Sequence, residues 1–331
     1  MILYLDELYK YSIESENSVV SIYHVLSLLC EDEWYVSKVK SMDYETEITF
    51  VVPPKTKEVI EWLSDYNGMV FISDATMPFR NLNEVFQSKL KEFHLGDPNK
   101  TSETQLVICD SQNISPTRIF VNSERLERYV KEIIDAFGKE SFMVALSNKR
   151  THKYFKKRFP DIPEDNITYY RSSKTIGVAN NLRAMLVVSN PYTPRNAFDW
   201  MSINLFGDNS KGIKIWQANA YSTFFQTISR VKDPEGLTHS VVWAYGIRHS
   251  MARNLLARAE GQPQIVEVPQ FKNIHNGHVI IAEHWYKYGR VLGTNEYKVL
   301  ILHKNNFSIK EITRRLKLPK RFVQVTILNN E

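Results

Sequence analysis

The chain predicts an α/β protein: a mostly parallel sheet covered by helices, followed by a small all-α unit at its C-terminal end. Three observations carry this. Apolar runs at residues 141–146, 184–188 and 240–245 have strand length and stop abruptly at polar or turn residues. Amphipathic stretches at 123–137, 147–159 and 218–231 alternate with them, and strands alternating with helices build parallel sheets. From residue 295 onward, three short helical patterns follow one another with no strand between.

The 331 residues are enough for two ordinary domains and an appendage. No apolar run approaches the ~18 residues of a membrane span, and the N-terminus lacks a basic segment ahead of its apolar run, so an intracellular, cytoplasmic protein with no membrane partner is expected. Cys30 and Cys109 each sit inside an apolar run; they offer neither a disulfide framework nor a zinc pattern. The net charge of +5 is unevenly distributed. Residues 1–65 hold thirteen acids against five lysines, a balance of −8, so the remainder carries +13. That asymmetry suits a basic surface facing a polyanion.

In chain order, residues 1–8 read as an apolar strand ending in the acid pair Asp6 and Glu7. Residues 18–29 read as a helix, and 47–52 as a strand stopped by Pro53 and Pro54. A helix at 57–66 leads to a buried strand at 69–72, which ends at the polar cluster Ser73, Asp74 and Thr76. In parallel sheets, ligands bind beyond the carboxyl ends of strands, so this cluster is a candidate site. A polar helix at 81–93 and a strand at 105–109 follow. The helix at 147–159 carries Lys149, Arg150, Lys153, Lys156, Lys157 and Arg158 without one acid. Short strands at 167–170 and 184–188 come next, then the helix at 218–231 with Gln226 and Arg230, and the strand at 240–245. Residues 261–290, rich in Pro, Gly, His and aromatics, are assigned no element.

The tail reads as helices at 295–303, 308–316 and 319–328. Ser308 is placed to cap the second, with Glu311 as the returning carboxylate, and Pro319 suits the first turn of the third. The spacing fits a helix-turn-helix, winged-helix-like in size, whose last helix carries Lys320, Arg321, Gln324 and Thr326, with Arg314 alongside, toward a groove of duplex DNA.

An acid pair at a strand end, Ser-Asp-Ala-Thr at a strand end, a basic helix, a Gly-centred loop and a helix with Gln226 and Arg230 form an order that resembles the latter part of a superfamily 2 helicase, most like the XPD and DinG branch. Asp6-Glu7 resembles motif II, Ser73-Asp74-Ala75-Thr76 motif III, and residues 142–148 motif IV. Residues 171–178, with Arg171, Lys174 and Gly177, followed by Asn190-Pro191-Tyr192-Thr193-Pro194, resemble motif V. Gln226 to Arg230 resembles motif VI. The resemblance implies a partial first RecA-like domain at 1–80 with an inserted helical segment, a second RecA-like domain at 81–260, a linker or extension at 261–294, and the helix-turn-helix at 295–331.

It also implies roles. Asp6 and Glu7 would hold Mg²⁺ and orient water, Gln226 and Arg230 would act on the phosphoryl group of ATP, and Ser73, Asp74, Thr76, Gly177 and Lys232 would sense and couple the nucleotide. Lys149, Arg150, Lys153, Arg171 and Lys174 would track single-stranded DNA. The pattern departs from the family in several places. No Gly-x-x-x-x-Gly-Lys-Ser/Thr occurs, Asp233 stands where motif VI has its second arginine, Ser229 replaces its glycine, and the iron-sulfur cysteines are missing. ATP and Mg²⁺ are therefore expected only where a separate polypeptide or an upstream segment supplies the P-loop. Neither an iron-sulfur cluster nor zinc is expected. Three alternatives are a degenerate helicase kept for binding, a DNA-binding regulator that reads through the helix-turn-helix, and, with least support, a nuclease.

Overall fold

The computed structural model describes residues 35–40, 46–51, 62, 65, 103–109, 123–170, 182, 184–191, 198–199, 202, 210–229, 231, 239–256 and 263–330. The chain divides into two units, residues 1–93 with 192–219 and residues 94–191 with 220–331. In the first, β1 (Tyr35–Lys40) and β2 (Thr46–Val51) pair antiparallel, Tyr35 opposite Val51. The expected elements at 1–8, 18–29, 69–72 and 81–93 lie outside the described residues.

The second unit holds the expected helix-covered α/β sheet. In chain order come β3 (Thr104–Ile108), α1 (Ser123–Phe137), β4 (Phe142–Leu146), α2 (Lys149–Arg158), β5 (Ile167–Tyr169) and β6 (Ala184–Val188). After α3 (Gly212–Ile228), within which the chain passes from one unit to the other, come β7 (Ser240–Tyr245), α4 (His249–Leu256), β8 (Gln264–Glu267) and α5 (Gly277–Tyr288). Three helices end the chain: α6 (Thr294–Lys304), α7 (Ile309–Leu316) and α8 (Lys320–Leu328).

Among the described residues the sheet has six strands in the order β5-β4-β6-β7-β3-β8, and every pairing is parallel. A parallel sheet is covered on both faces, so its strands read as continuous apolar runs rather than alternating ones. Val107, Val144, Leu186 and Trp243 on one face and Leu106, Met143, Met185 and Val242 on the other are all fully buried. The first group packs against Leu126, Val130 and Ile133 of α1 and Ile281 and Trp285 of α5. Two indoles pin α5 to the sheet: Trp285 Nε1 donates to the Ser240 carbonyl at 3.0 Å, and Trp243 Nε1 to the His278 carbonyl at 3.2 Å. Gly289 ends α5 in the left-handed conformation at φ 62°, and a Cβ there would run into the His239 ring.

The stretch 261–294, expected to be a linker or extension, supplies β8 and α5 to this layer. The tail is likewise tied to it. Tyr297, Leu300 and Ile301 of α6 belong to the sheet's own core, and the Tyr297 hydroxyl accepts a hydrogen bond from Gln105 Nε2 at 3.3 Å. Among the described residues no helix is long and apolar enough to cross a membrane.

Candidate nucleic-acid interface

The order of the strands locates a crevice. From β4 the chain runs to β5 on one side; from β6 it runs to β7 on the other. β4 and β6 are neighbours, so the connections leave their carboxyl ends in opposite directions, and open α/β sheets bind ligands at such switch points. The residues there are Ser147 and Asn148 after β4 and Ser189 and Asn190 after β6.

Local bonding holds this edge in place. The Tyr170 backbone N–H donates to the Leu146 carbonyl at 2.8 Å, and the Ser189 N–H donates to the Tyr245 carbonyl at 2.8 Å. The Tyr170 hydroxyl donates to the Ser189 carbonyl at 3.0 Å, and its burial raises the phenol's pKa well above the usual tyrosine range. Ser189 is left-handed at φ 70°, a region that L-residues with a Cβ seldom adopt, and Gly246 after β7 is left-handed at φ 76°. Both central strands thus turn out of the sheet through a left-handed residue. Non-glycine residues in this conformation gather at functional sites, where the surrounding bonds hold them.

Helix α2 begins at this edge. Asn148 is extended, and its Oδ1 accepts from the N–H groups of Arg150 and Thr151, each at 3.0 Å. Thr151 Oγ1 accepts from the Asn148 N–H at 3.1 Å, closing a reciprocal capping box. Thr151 and Phe155 turn inward and are buried, and the Phe155 ring sits 4.6 Å from that of Phe159. That inward face fixes the outward one. Lys149, Lys153 and Lys157, four residues apart, form an exposed stripe, with Arg150 exposed beside it. Lys156 pairs with Glu164, and Arg158 grips Glu127 through two bonds at 2.6 and 2.7 Å. The Arg158 hydrogen bond holds the Glu127 carboxyl below its usual pKa. No ion pair of Lys149, Lys153 or Lys157 occurs among the described residues.

A second basic surface lies on the tail. Val299, Leu302, Ile312, Val323 and Ile327 form its small core. Ser308 caps α7: Glu311 Oε2 accepts from the Ser308 N–H at 2.9 Å and from its hydroxyl at 2.6 Å, and these bonds lower the Glu311 pKa. Pro319 is the residue just before α8 rather than in its first turn. Arg314, Lys320, Arg321 and Gln324 are all exposed, whereas Thr326, expected to face a groove with them, is buried, and Arg315 lies over the Phe307 ring at 4.5 Å.

Lys149, Arg150 and Lys153 therefore come together at the start of α2, beside the crevice. Arg314, Lys320, Arg321 and Gln324 share the tail, and Gln226 is exposed on α3. Asp6, Glu7, Ser73, Asp74, Thr76, Arg171, Lys174, Gly177, Arg230 and Lys232 lie outside the described residues. Thr151, Tyr170 and Ser189 were not legible as site residues. Asn148 followed by Thr151 is a weak capping signal, and nothing local marks Ser189 as left-handed.

The fold and this edge define, among the described residues, a helix-covered α/β unit with an all-parallel sheet and a basic helix at its switch point. No family model, curated protein or solved structure matches the chain.

Proposed function

We propose that the chain is a helicase-like nucleic-acid-binding protein, the motor half of an ATP-dependent DNA helicase or translocase whose P-loop comes from another polypeptide or an upstream segment. One observation carries the reading. β4 begins the segment resembling motif IV, its neighbour β6 lies in sequence between the two stretches resembling motif V, and the acid-free helix α2 starts at their crevice with Lys149, Arg150, Lys153 and Lys157 exposed. A single strand laid across the edge meets cations at the spacing of helical turns, while the capped N-terminus of α2 adds its own positive dipole.

On this reading the sheet is RecA-like, and single-stranded DNA runs along its carboxyl edge. Asp6 and Glu7 hold Mg²⁺, Ser73, Asp74 and Thr76 couple nucleotide state to the strand, and Gln226 and Arg230, with Gly177 and Lys232, serve the phosphates of ATP. The test is a titration of the full chain against a fluorescent single-stranded oligonucleotide over a range of salt. Binding should weaken steeply as salt rises, and ATP with Mg²⁺ should alter it only when a P-loop-bearing partner is added. Absent or salt-insensitive single-strand binding contradicts the proposal.

A second reading has its own observation. α7 has eight residues and α8 nine, and the three-residue turn between them begins at Lys317, left-handed at φ 54°. Those lengths and that turn support a helix-turn-helix, and with it a DNA-binding regulator with the α/β body as an interaction domain. Because Tyr297, Leu300 and Ile301 fill the sheet's core, removing the tail would open that core. Point substitutions at Arg321 and Gln324 therefore separate the readings more cleanly than a deletion. A regulator loses sequence-specific binding, whereas a helicase-like body keeps its single-strand affinity.

A further inference from the structure

The outward face of α8 carries more chemistry than phosphate contact needs. Val323, Thr326 and Ile327 are buried, Val323 and Ile327 against α6 and α7, which fixes the rotation of the helix. Arg321, Gln324, Val325 and Leu328 then form one outward stripe at helical spacing. Val325 is 46% and Leu328 76% exposed, two large apolar side chains that follow a guanidinium and a carboxamide along the helix. Around them the chain is basic: Lys304 through Arg321 contains seven Lys or Arg against one Glu. Lys310 and Arg314 of α7, Lys317 of the turn and Lys320 at the start of α8 are all exposed.

An occupant that matches all of this must be a polyanion that also offers hydrogen-bonding edges and apolar groups inside a groove wide enough for a helix. The major groove of B-form DNA meets each requirement. Guanine O6 and N7 accept two bonds from an arginine, adenine N6 and N7 match a glutamine amide, and thymine adds a methyl group. Duplex RNA is as anionic but fails the rest, because its major groove is too narrow for side chains to read and uracil lacks the methyl group.

We propose that α8 enters the major groove of duplex DNA and reads bases there, Arg321 taking a guanine, Gln324 an adenine, and Val325 packing on the C5-methyl of a thymine. The proposal rests on the helix-turn-helix reading of the tail and is independent of the crevice at β4 and β6. Three residues of helix advance about 4.5 Å against roughly 3.4 Å per base pair, so the G·C and A·T pairs fall within about two steps of each other.

The test selects from a random duplex library with the full chain. It then measures the enriched duplex, the same duplex with deoxyuridine for each thymine, and an all-RNA duplex. An enriched motif holding a G·C and an A·T pair within about two steps is expected. Loss of the methyl should weaken the wild type about fourfold, the worth of one buried methyl, and leave Val325→Ala unchanged. Arg321→Ala should lose about tenfold or more of the preference for guanine. The RNA duplex should not compete. Both substituted side chains are exposed, so folding is unaffected, and unchanged helical content and melting check this. Equal binding to every duplex reduces α8 to phosphate contact and overturns the proposal, even if single-strand binding at the crevice stands. No duplex affinity at all overturns it in favour of an acidic protein partner for the stripe.

Discussion

His284 of α5 and Asn330, 46 positions later, are joined by a 3.0 Å hydrogen bond from the imidazole Nε2 to the amide oxygen. Arg290 donates to the same oxygen at 2.7 Å, and Asn330 Nδ2 donates to the Thr326 carbonyl at 2.6 Å. One buried amide therefore fastens the end of α8 to the helix that covers the sheet. Asn330→Ala strands the buried His284 donor, whereas the exposed Arg290 guanidinium turns to water, and one orphaned buried group costs about 1–3 kcal/mol. Denaturant unfolding should show a loss of that order, and hydrogen exchange should show α8 opening more readily than β4 or β7.

Acid should weaken the fold through His278. Its ring is fully buried, its Nδ1 donates to the His275 carbonyl at 3.2 Å, and burial holds its pKa down to about 4. An unfolded histidine titrates near about 6.5, so between the two values the unfolded chain binds a proton that the folded one excludes. Stability is then complete above about 6.5 and falls as pH drops toward 4; from about pH 7 to about pH 5 the loss is about 2 kcal/mol. The neighbouring Glu132, whose carboxyl oxygen is 3.6 Å from Nδ1, has its pKa raised by burial and works in the opposite sense. Urea midpoints for the wild type and His278→Gln at both pH values isolate the histidine: the variant should lose most of the dependence.

The cap of the basic helix makes a third prediction. Asn148→Ala removes the acceptor for the Arg150 and Thr151 N–H groups and should cost about 1 kcal/mol. Because Lys149 and Arg150 ride on that first turn, its fraying should also weaken single-strand binding. Asn148→Asp, which keeps the acceptor, should restore stability.

Leu186 lies at the centre of β6 with no exposed surface. Leu186→Ala leaves a cavity between the sheet and its helices, and such deletions cost about 2–5 kcal/mol. Thermal unfolding should show one lowered transition for the sheet and the tail, because α6 shares that core.

What was legible in the sequence follows from where each segment is buried. β4, β6 and β7 are covered on both faces, so they appear as unbroken apolar runs with abrupt ends, and α1 appears because only one of its faces is covered. α5 was missed: Gly277 to Ala282, His284 and Trp285 are all buried, so its apolar residues fall on every side and leave no helical period. β8 is four residues with Gln264 and Glu267 at its ends, too short to separate from a loop. At the site, the lysines of α2 and the Ser308 cap could be read locally. The crevice could not, since it depends on β4 lying beside β6, a pairing between distant residues.

The most direct test of the nucleic-acid reading is the salt dependence of single-strand binding by the full chain with Lys149, Lys153 and Lys157 replaced by alanine. Each lysine that neutralises a phosphate contributes about 0.7 to the slope of log K against log salt, so the triple variant should bind more weakly and lose about 2 from that slope. Unchanged affinity and slope, in a variant with unaltered melting, would contradict the placement of nucleic acid on α2.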